Sequence, residues 1–495
     1  GSCMRTVRFV ARVLPVALLA ASLGALAPAG ATAPAPTVQH LHFSYGPVNI
    51  RPGQNNIDFS GTSVPKPSED GWIVGIRPNI HLSDGTIPPV DVIHLHHAVW
   101  LNWSAADPTS PGLPQRFFAA GEEKTGLAIP SGYGYPYHAS DVWQLNYMIH
   151  NLVVWPFTIY LDYDIDFVSV KDNPHAHLRP VHPVWMDVRN GNVYPVFDVH
   201  RNSGSNGQYT YPDMATNPYG SGPKLNEWTV PQNGVLVATA GHLHPGGLHT
   251  DLYVQRGSKS AHVFRSEAHY YEPAGPVSWD VSMTASGPNW AVKVRKGDVL
   301  RINVTYDSAT ASWYETMGIM IVWIADTGKG ANPFTTTVDG PGVLTHGHLA
   351  ENDNHGGAAT DTTDPQTLPD TTAPSNTVPI SNYEYEYGDL DGAEQTVPTV
   401  QLGHSLTYVN EDAPSSGDGT WHSITACHLP CNASTGIAYP LANAPIEFDS
   451  GQLGNFGAPT AGRLTWSTPS NLPLGTYSFF CRVHPFMRGA FRVVP

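Results

Sequence analysis

The chain reads as an all-β protein, and three observations carry that expectation. Gly 47 and Pro 45 are abundant, only 13% of residues are charged and 10% are aromatic, a composition suited to many short strands joined by tight turns. Apolar runs such as Val142–Val154, Val235–Ala240, Val299–Tyr306 and Gly318–Ala325 have the length of strands and are separated by Gly, Pro and Asn clusters. No segment sustains the 3.6-residue apolar period of an amphipathic helix. With 495 residues, the chain has room for about three domains.

Residues 1–33 are expected to be a secretory signal peptide. Arg5, Arg8 and Arg12 form a basic start, Val13–Leu26 is an apolar run interrupted by Pro15, and Ala29-Gly30-Ala31 or Ala31-Thr32-Ala33 offers a small-residue cleavage site. The run is too short and Ala-rich for a good membrane anchor, so the mature protein is expected to be secreted, with no membrane span. Lys and Arg number 25 against 41 Asp and Glu, giving a formal charge of −16 with no basic block. Nucleic acid and anionic membrane surfaces are therefore poor partners. Cys3 is lost with the leader. Cys427 and Cys431 flank His428 in Ala426-Cys427-His428-Leu429-Pro430-Cys431. A local disulfide is expected there in an oxidising compartment, the rival being a second soft-metal site that includes His428.

Strand-rich sequence fills 34–195 and 196–330. A histidine-containing and Thr/Asp/Pro-rich segment follows at 331–395, and a final module occupies 396–495. Within the third segment, 360–377 is almost entirely Thr, Asp, Pro, Ala and Ser, which predicts a solvated linker. Tyr383-Glu384-Tyr385-Glu386-Tyr387 alternates aromatic and acidic residues, as an edge strand or a sticky patch would.

The final module carries Cys481, His484 and Met487 at C-x-x-H-x-x-M spacing, with His422 about 60 residues upstream in Trp421-His422-Ser423-Ile424. Thiolate, two imidazoles and a weak axial thioether are the donor set of a type 1 (blue) copper centre. The module resembles a cupredoxin, which implies a Greek-key β-sandwich and one-electron transfer.

Twenty-four histidines are present, and they cluster. His94-Leu95-His96-His97 follows one apolar run, and His242-Leu243-His244 follows another. On a strand, H-x-H places both imidazoles on one face, where they can chelate one ion. Met317, in Glu315-Thr316-Met317-Gly318, offers a soft sulfur suited to Cu(I).

On these motifs and their order, residues 40 to 330 resemble the copper type II, ascorbate-dependent monooxygenases, which include peptidylglycine α-hydroxylating monooxygenase and dopamine β-monooxygenase. The resemblance implies two β-sandwich, jelly-roll-like lobes facing each other across an open cleft. It implies an electron-supplying copper on His96, His97 and His150, and an oxygen-binding, catalytic copper on His242, His244 and Met317. Strand period alone pairs His94 with His96, so the His96–His97 pair needs a bulge. His94 and Met320 stand as possible additional ligands. Where peptide-hydroxylating members carry a basic residue and polar partners for the peptide carboxylate, this chain has Ala240, Ile319 and Ile321. That departure implies that peptide-end recognition is lost. His40, His42, His175, His177, His182, His249 and His269 are expected to be structural, and His346, His348 and His355 to lie in a solvated loop.

The expected protein is thus an exported copper-dependent monooxygenase with about three copper ions, one type 1 and two mononuclear. It would use dioxygen and ascorbate or another electron donor to hydroxylate a small or peptide-like substrate, with a redox protein as a further partner. The alternative is a non-enzymatic copper-binding, electron-transfer or copper-storage protein.

Overall fold

The computed structural model describes residues 35–495 apart from 55–56, 91, 154, 193–194, 272–278, 310–312, 350–362, 391, 414–419, 427–447, 455–462, 482–483 and 485. The expected leader, the Cys427–Cys431 pair with His428, and His355 lie outside the described residues. Among those residues almost every element is a strand, and no helix is long and apolar enough to cross a membrane.

The strand Phe157–Ser169 shows why the first sheet forms. Ile159, Leu161, Tyr163, Ile165 and Phe167 point inward and are buried, while Tyr160, Asp162, Asp164 and Asp166 alternate with them outward. It pairs antiparallel with Gln39–Ile50 on one side and Gly71–Leu82 on the other. Its outward carboxylates meet His40, His42, His81 and Arg77 from those neighbours. His40 and His42 are therefore cross-strand partners of aspartates.

A facing sheet is built from Ile57–Phe59, Trp143–Asn151, Ile93–Ala106 and Pro114–Ala120. Trp100, Phe117, Trp143 and Leu145 fill the space between the two sheets. The alternation along Trp143–Asn151 stops at Met148, after which both faces are buried. Met148 belongs to the core of the C-terminal module, which covers that end of the sheet.

Two strands serve two cores. Gly234–Leu243 and Gly318–Ala325 pair antiparallel. Val235, Val237, Trp323 and Ala325 face the first core, while Leu236, Val322 and Ile324 face a second. Burial on both faces explains why their sequences are near-continuous apolar runs. The second core is completed by Gly247–Arg256, Lys259–Tyr270 and Val299–Asp307. Met320 lies within this second core.

The C-terminal module has two small sheets, with Tyr385, Tyr408, Phe479 and Phe491 between them. Here the expectation of a linker over 360–377 and of a module starting at 396 needs correction. Asp370–Thr371 pairs parallel with Val397–Gln401, and Thr377–Ser381 pairs parallel with Thr407–Asn410. Composition misled because a few residues suffice: Val378 and Ile380 alternate into the core, and Asp364 caps the turn Pro365–Thr367 by accepting from the Gln366 amide at 2.9 Å. Tyr385 is buried, and its hydroxyl donates to the Ser423 carbonyl at 2.8 Å.

Candidate metal centres

At the C-terminal centre, the strand Gly475–Phe480 delivers Cys481 into a tight loop. The loop is closed by Cys481 N–H to Met487 O (2.9 Å) and Met487 N–H to His484 O (2.8 Å). His422 enters from the other side, held by reciprocal backbone bonds with Leu453. Donor atoms of His422, Cys481 and His484 all lie within 4.8 Å of one another, and all three residues are buried. The two Nδ1 atoms are 3.1 Å apart, and His484 Nδ1 is 3.7 Å from Cys481 Sγ. Both Nε2 atoms face outward to fixed partners: His422 to Asp412 Oδ2 and His484 to the Gly53 carbonyl, each at 2.7 Å. Both Nδ1 atoms are thereby turned toward the sulfur, an N2S set. Burial, the largest single influence, pushes the Cys481 thiol up, but His484 and His422 together with their hydrogen bonds outweigh it and hold the thiol well below its usual range. The sulfur also accepts from the Ser423 and His484 amides at 3.3 and 3.4 Å. A stabilised thiolate is the strong ligand that this donor set requires. Met487 is buried in the same core, and Pro485 lies outside the described residues.

The Gly53 contact is a surprise of tertiary structure. Gly53 has φ +61, and a Cβ there would lie 2.3 Å from His484 Nε2 and 2.5 Å from a Tyr383 ring carbon. The Tyr383 hydroxyl donates to the Pro52 carbonyl. Residues 51–54 in turn grip the end of the Trp143–Asn151 strand. The Asn151 amide donates to Gln54 O at 2.9 Å, and its side chain donates to Arg51 O at 2.8 Å. Asn151 is the neighbour of His150, so a short hydrogen-bonded span joins His484 to the histidines of the large region.

Those histidines form one buried cluster, which corrects the expected open cleft between separate sites. On the strand Ile93–Ala106, a bulge between Leu95 and His97 makes His96 the extra residue opposite the Trp143–Asn151 strand. His94 is directly opposite His150, with ring centroids 4.8 Å apart. His96 meets His244 at 4.6 Å and His97 at 5.7 Å, and His242 meets His244 at 5.3 Å. Trp279 stacks on His94 at 4.6 Å and leans on His96 and His244. The structure thus places His94, rather than His97, beside His150. His97 instead turns to a cavity that it lines together with His242 and Met317.

Second partners set the tautomers. His242 Nδ1 is 2.9 Å from Glu123 Oε1, and His244 Nδ1 donates to the Glu315 carbonyl at 2.7 Å. Glu315 adopts φ +57, a conformation that non-glycine residues rarely hold. The Tyr306 hydroxyl accepts from the amides of His244 (3.0 Å) and Met317 (3.2 Å) and donates to Met317 O (2.7 Å). It fixes one ligand candidate against the other. His97 Nε2 lies 3.1 Å from Asn146 Oδ1. What remains are His94 Nε2, His96 Nδ1, His97 Nδ1, His242 Nε2 and His244 Nε2, all buried with no hydrogen-bond partner among the described residues.

Burial holds His94, His96 and His244 well below the usual imidazole range, assisted by their histidine neighbours. His97 is lowered to about 4 by burial and then by His242. Neutral imidazoles are the form that ligates metal. Burial pushes the Glu123 carboxyl up, but His242 and hydrogen bonds more than compensate and leave it lowered.

Sequence reasoning missed Gly53, Glu123, Tyr306, Asp412 and Trp279. The buried Gly121-Glu122-Glu123-Lys124 loop was the readable signal, since so many charges are unusual in a chain this poor in them. Met320, in the second core, does not face the cavity formed beside Met317. His346 bonds to the Glu123 carbonyl and His348 to Asp280, so this pair docks on the large region.

The N2S donor set and its β-sandwich are what a cupredoxin-like copper centre requires. No family model and no curated protein matches the chain. Among solved structures, a reduced mutant of amicyanin aligns at 20% identity over 24% of this chain and 80% of its own, with a TM-score of 0.15. A copper-containing nitrite reductase from Thermus scotoductus aligns at 12% identity over 54% and 58%, with a TM-score of 0.17. A structure of Sulfolobus turreted icosahedral virus aligns at 10% identity over 62% and 100%, with a TM-score of 0.14. Scores this low carry no argument about activity, so the chemistry rests on this chain's own residues.

Proposed function

We propose that the protein is an exported, copper-dependent, monooxygenase-like oxidoreductase that hydroxylates a C–H bond, with the cupredoxin-like module handling electrons. The buried histidine nitrogens carry this reading. A buried polar atom left without a partner costs about 1–3 kcal/mol, so five of them would cost about 5–15 kcal/mol. That is as large as the whole stability of a typical domain, and metal ligation is the economical way to offset it.

Bound copper would supply one-electron transfer and, beside a thioether, reactivity with dioxygen. The chain's own residues do the rest. His94, His96 and His150 would have to close up on one ion, and His242 and His244 with Met317 on another, since the one three-residue donor group already within 4.8 Å among the described residues is His422, Cys481 and His484; His97 lies at the cavity wall. Glu123 and the Glu315 carbonyl orient the ligating rings. Trp279 packs over the rings of His94, His96 and His244. The span from His484 through residues 51–54 to Asn151 fixes the module against the core. In the overall reaction one oxygen atom enters the C–H bond and the other leaves as water, with two electrons and two protons drawn from a reductant such as ascorbate.

The test is anaerobic copper loading under reductant, metal analysis with electron paramagnetic resonance, and then oxygen uptake with and without candidate substrates. About three coppers, one intensely blue, and substrate-dependent uptake are expected. A single copper per chain would overturn the reading, and stable full loading without uptake would select copper storage instead.

A further inference from the structure

The cavity beside Met317 has a volume of about 390 Å³. Phe59, Val99 and Leu101 of the first-region sheet line it together with Trp185 and Ile319. His97, His242 and Met317 are part of the same lining, so whatever occupies the cavity lies against the candidate oxygen site. At its rim Phe59, Trp103 and Leu113 are 60%, 56% and 46% exposed. Apolar side chains of this size left in water around one mouth mark a ligand route.

The charged groups in the lining are already committed. Arg116 forks onto Asp107 through Nε (2.8 Å) and Nη2 (2.9 Å), gives Nη1 to Asn190 (3.1 Å) and lies 4.7 Å over the Trp185 ring. Asp187 accepts from the Arg189 amide (2.8 Å) and the Trp185 indole (3.4 Å). Gln144 is bonded at both ends, to Trp103 and to the Ser60 carbonyl. Among the described lining residues Arg116 is the one permanent cation and it is already paired with Asp107, so an anionic ligand finds no counter-charge there, and an unpaired charge in such a wall is unfavourable.

Building on the oxygenase reading, we infer that this cavity binds an uncharged, predominantly apolar ring molecule of about fifteen non-hydrogen atoms, on the scale of a 150 Å³ cavity that holds benzene. Carboxylate-bearing ligands are excluded by the lack of a free cation among the described lining residues. The Asn146 amide, 3.1 Å from His97, is a polar group placed to meet a hydroxyl or carbonyl on such a molecule beside the candidate ligands.

The experiment is calorimetric and tryptophan-fluorescence titration of the whole protein, metal-free and copper-loaded, with 1-naphthol and 1-naphthoate at neutral pH. Naphthol should bind at least about tenfold more tightly than naphthoate. Ala119→Phe, which fills the cavity, should weaken naphthol about tenfold or more. Phe59→Ser, at an exposed position that leaves folding unaffected, should weaken it severalfold. Equal affinity for naphthoate and naphthol, or unchanged naphthol affinity in both variants, would overturn the inference. Because binding is read without copper, naphthol binding without any oxygen chemistry would overturn the oxygenase reading alone. Substrate-linked oxygen uptake with no preference for neutral ligands would overturn this inference alone.

Discussion

Met317 illustrates how one residue can be read in two ways until its surroundings are known. A methionine before a strand is ordinarily filler, and Met320 is that. Met317 shares the cavity lining with His97 and His242, and both its amide and its carbonyl are pinned by Tyr306. Met317→Ile keeps volume and apolarity, so stability should fall by only ~1 kcal/mol, while oxygen uptake should vanish and the blue band should stay. Normal oxygen-linked turnover in that variant would return Met317 to the core. Gly53 is the matching case at the other centre. Gly53→Ala places a methyl against His484 Nε2 at a φ that costs a non-glycine residue about 1–3 kcal/mol. Denaturant unfolding should show that loss, and the blue absorption should shift as His484 is displaced; an unchanged spectrum would mean the contact does not restrain the ligand.

At the level of elements, the bulge at His96 decides which histidines meet. Period two along Ile93–Ala106 was readable, as was the need for an irregularity near His96–His97. Which ring faces His150 was not, because a one-residue shift reverses every side chain and only the partner strand's register settles it. The strand Gly247–Arg256 carries a separate network. Asp251 accepts from His249 (2.8 Å), His262 (2.7 Å) and Arg265 (2.8 Å), and His262 also meets Asp339 (2.7 Å). Burial opposes charge on His262, but the hydrogen bond to Asp251 and the charges of Asp251 and Asp339 outweigh it and raise its pKa above the usual 6.5. A raised folded pKa means that this stabilisation is complete below about pH 6.5 and is lost as pH rises through the folded value. Thermal unfolding followed upward from pH 6 should therefore show a falling midpoint, and His262→Gln should flatten that fall. A variant with the same slope would place the titration elsewhere.

Across the whole molecule, the C-terminal module is joined to the large region through shared packing and hydrogen bonds. Met148 sits in its core, Tyr383 bonds to Pro52 and His484 to Gly53. Under the proposed function, a module attached in this way through a copper-ligand candidate would pass electrons inward. Cys481→Ser should abolish the blue band, since a hydroxyl cannot replace the thiolate bond. Turnover with a protein donor should collapse, whereas turnover with ascorbate should largely persist. Equal rates with both donors would take the module off the catalytic path.

Composition and local pattern by themselves determined the all-β class, the strand runs and the Cys481-His484-Met487 loop, because these depend on neighbours a few residues apart. The H-x-H pairs were legible for the same reason. Tertiary structure alone decided that the His94 and His242 groups form one cluster, that Glu123 and Trp279 attend it, and that Gly53 touches a ligand candidate 431 residues away. It also gave order to 363–381, where Val378 and Ile380 pay for an otherwise polar segment. Contacts between distant segments depend on which faces sheets bury against each other, and that choice leaves no local periodicity to read.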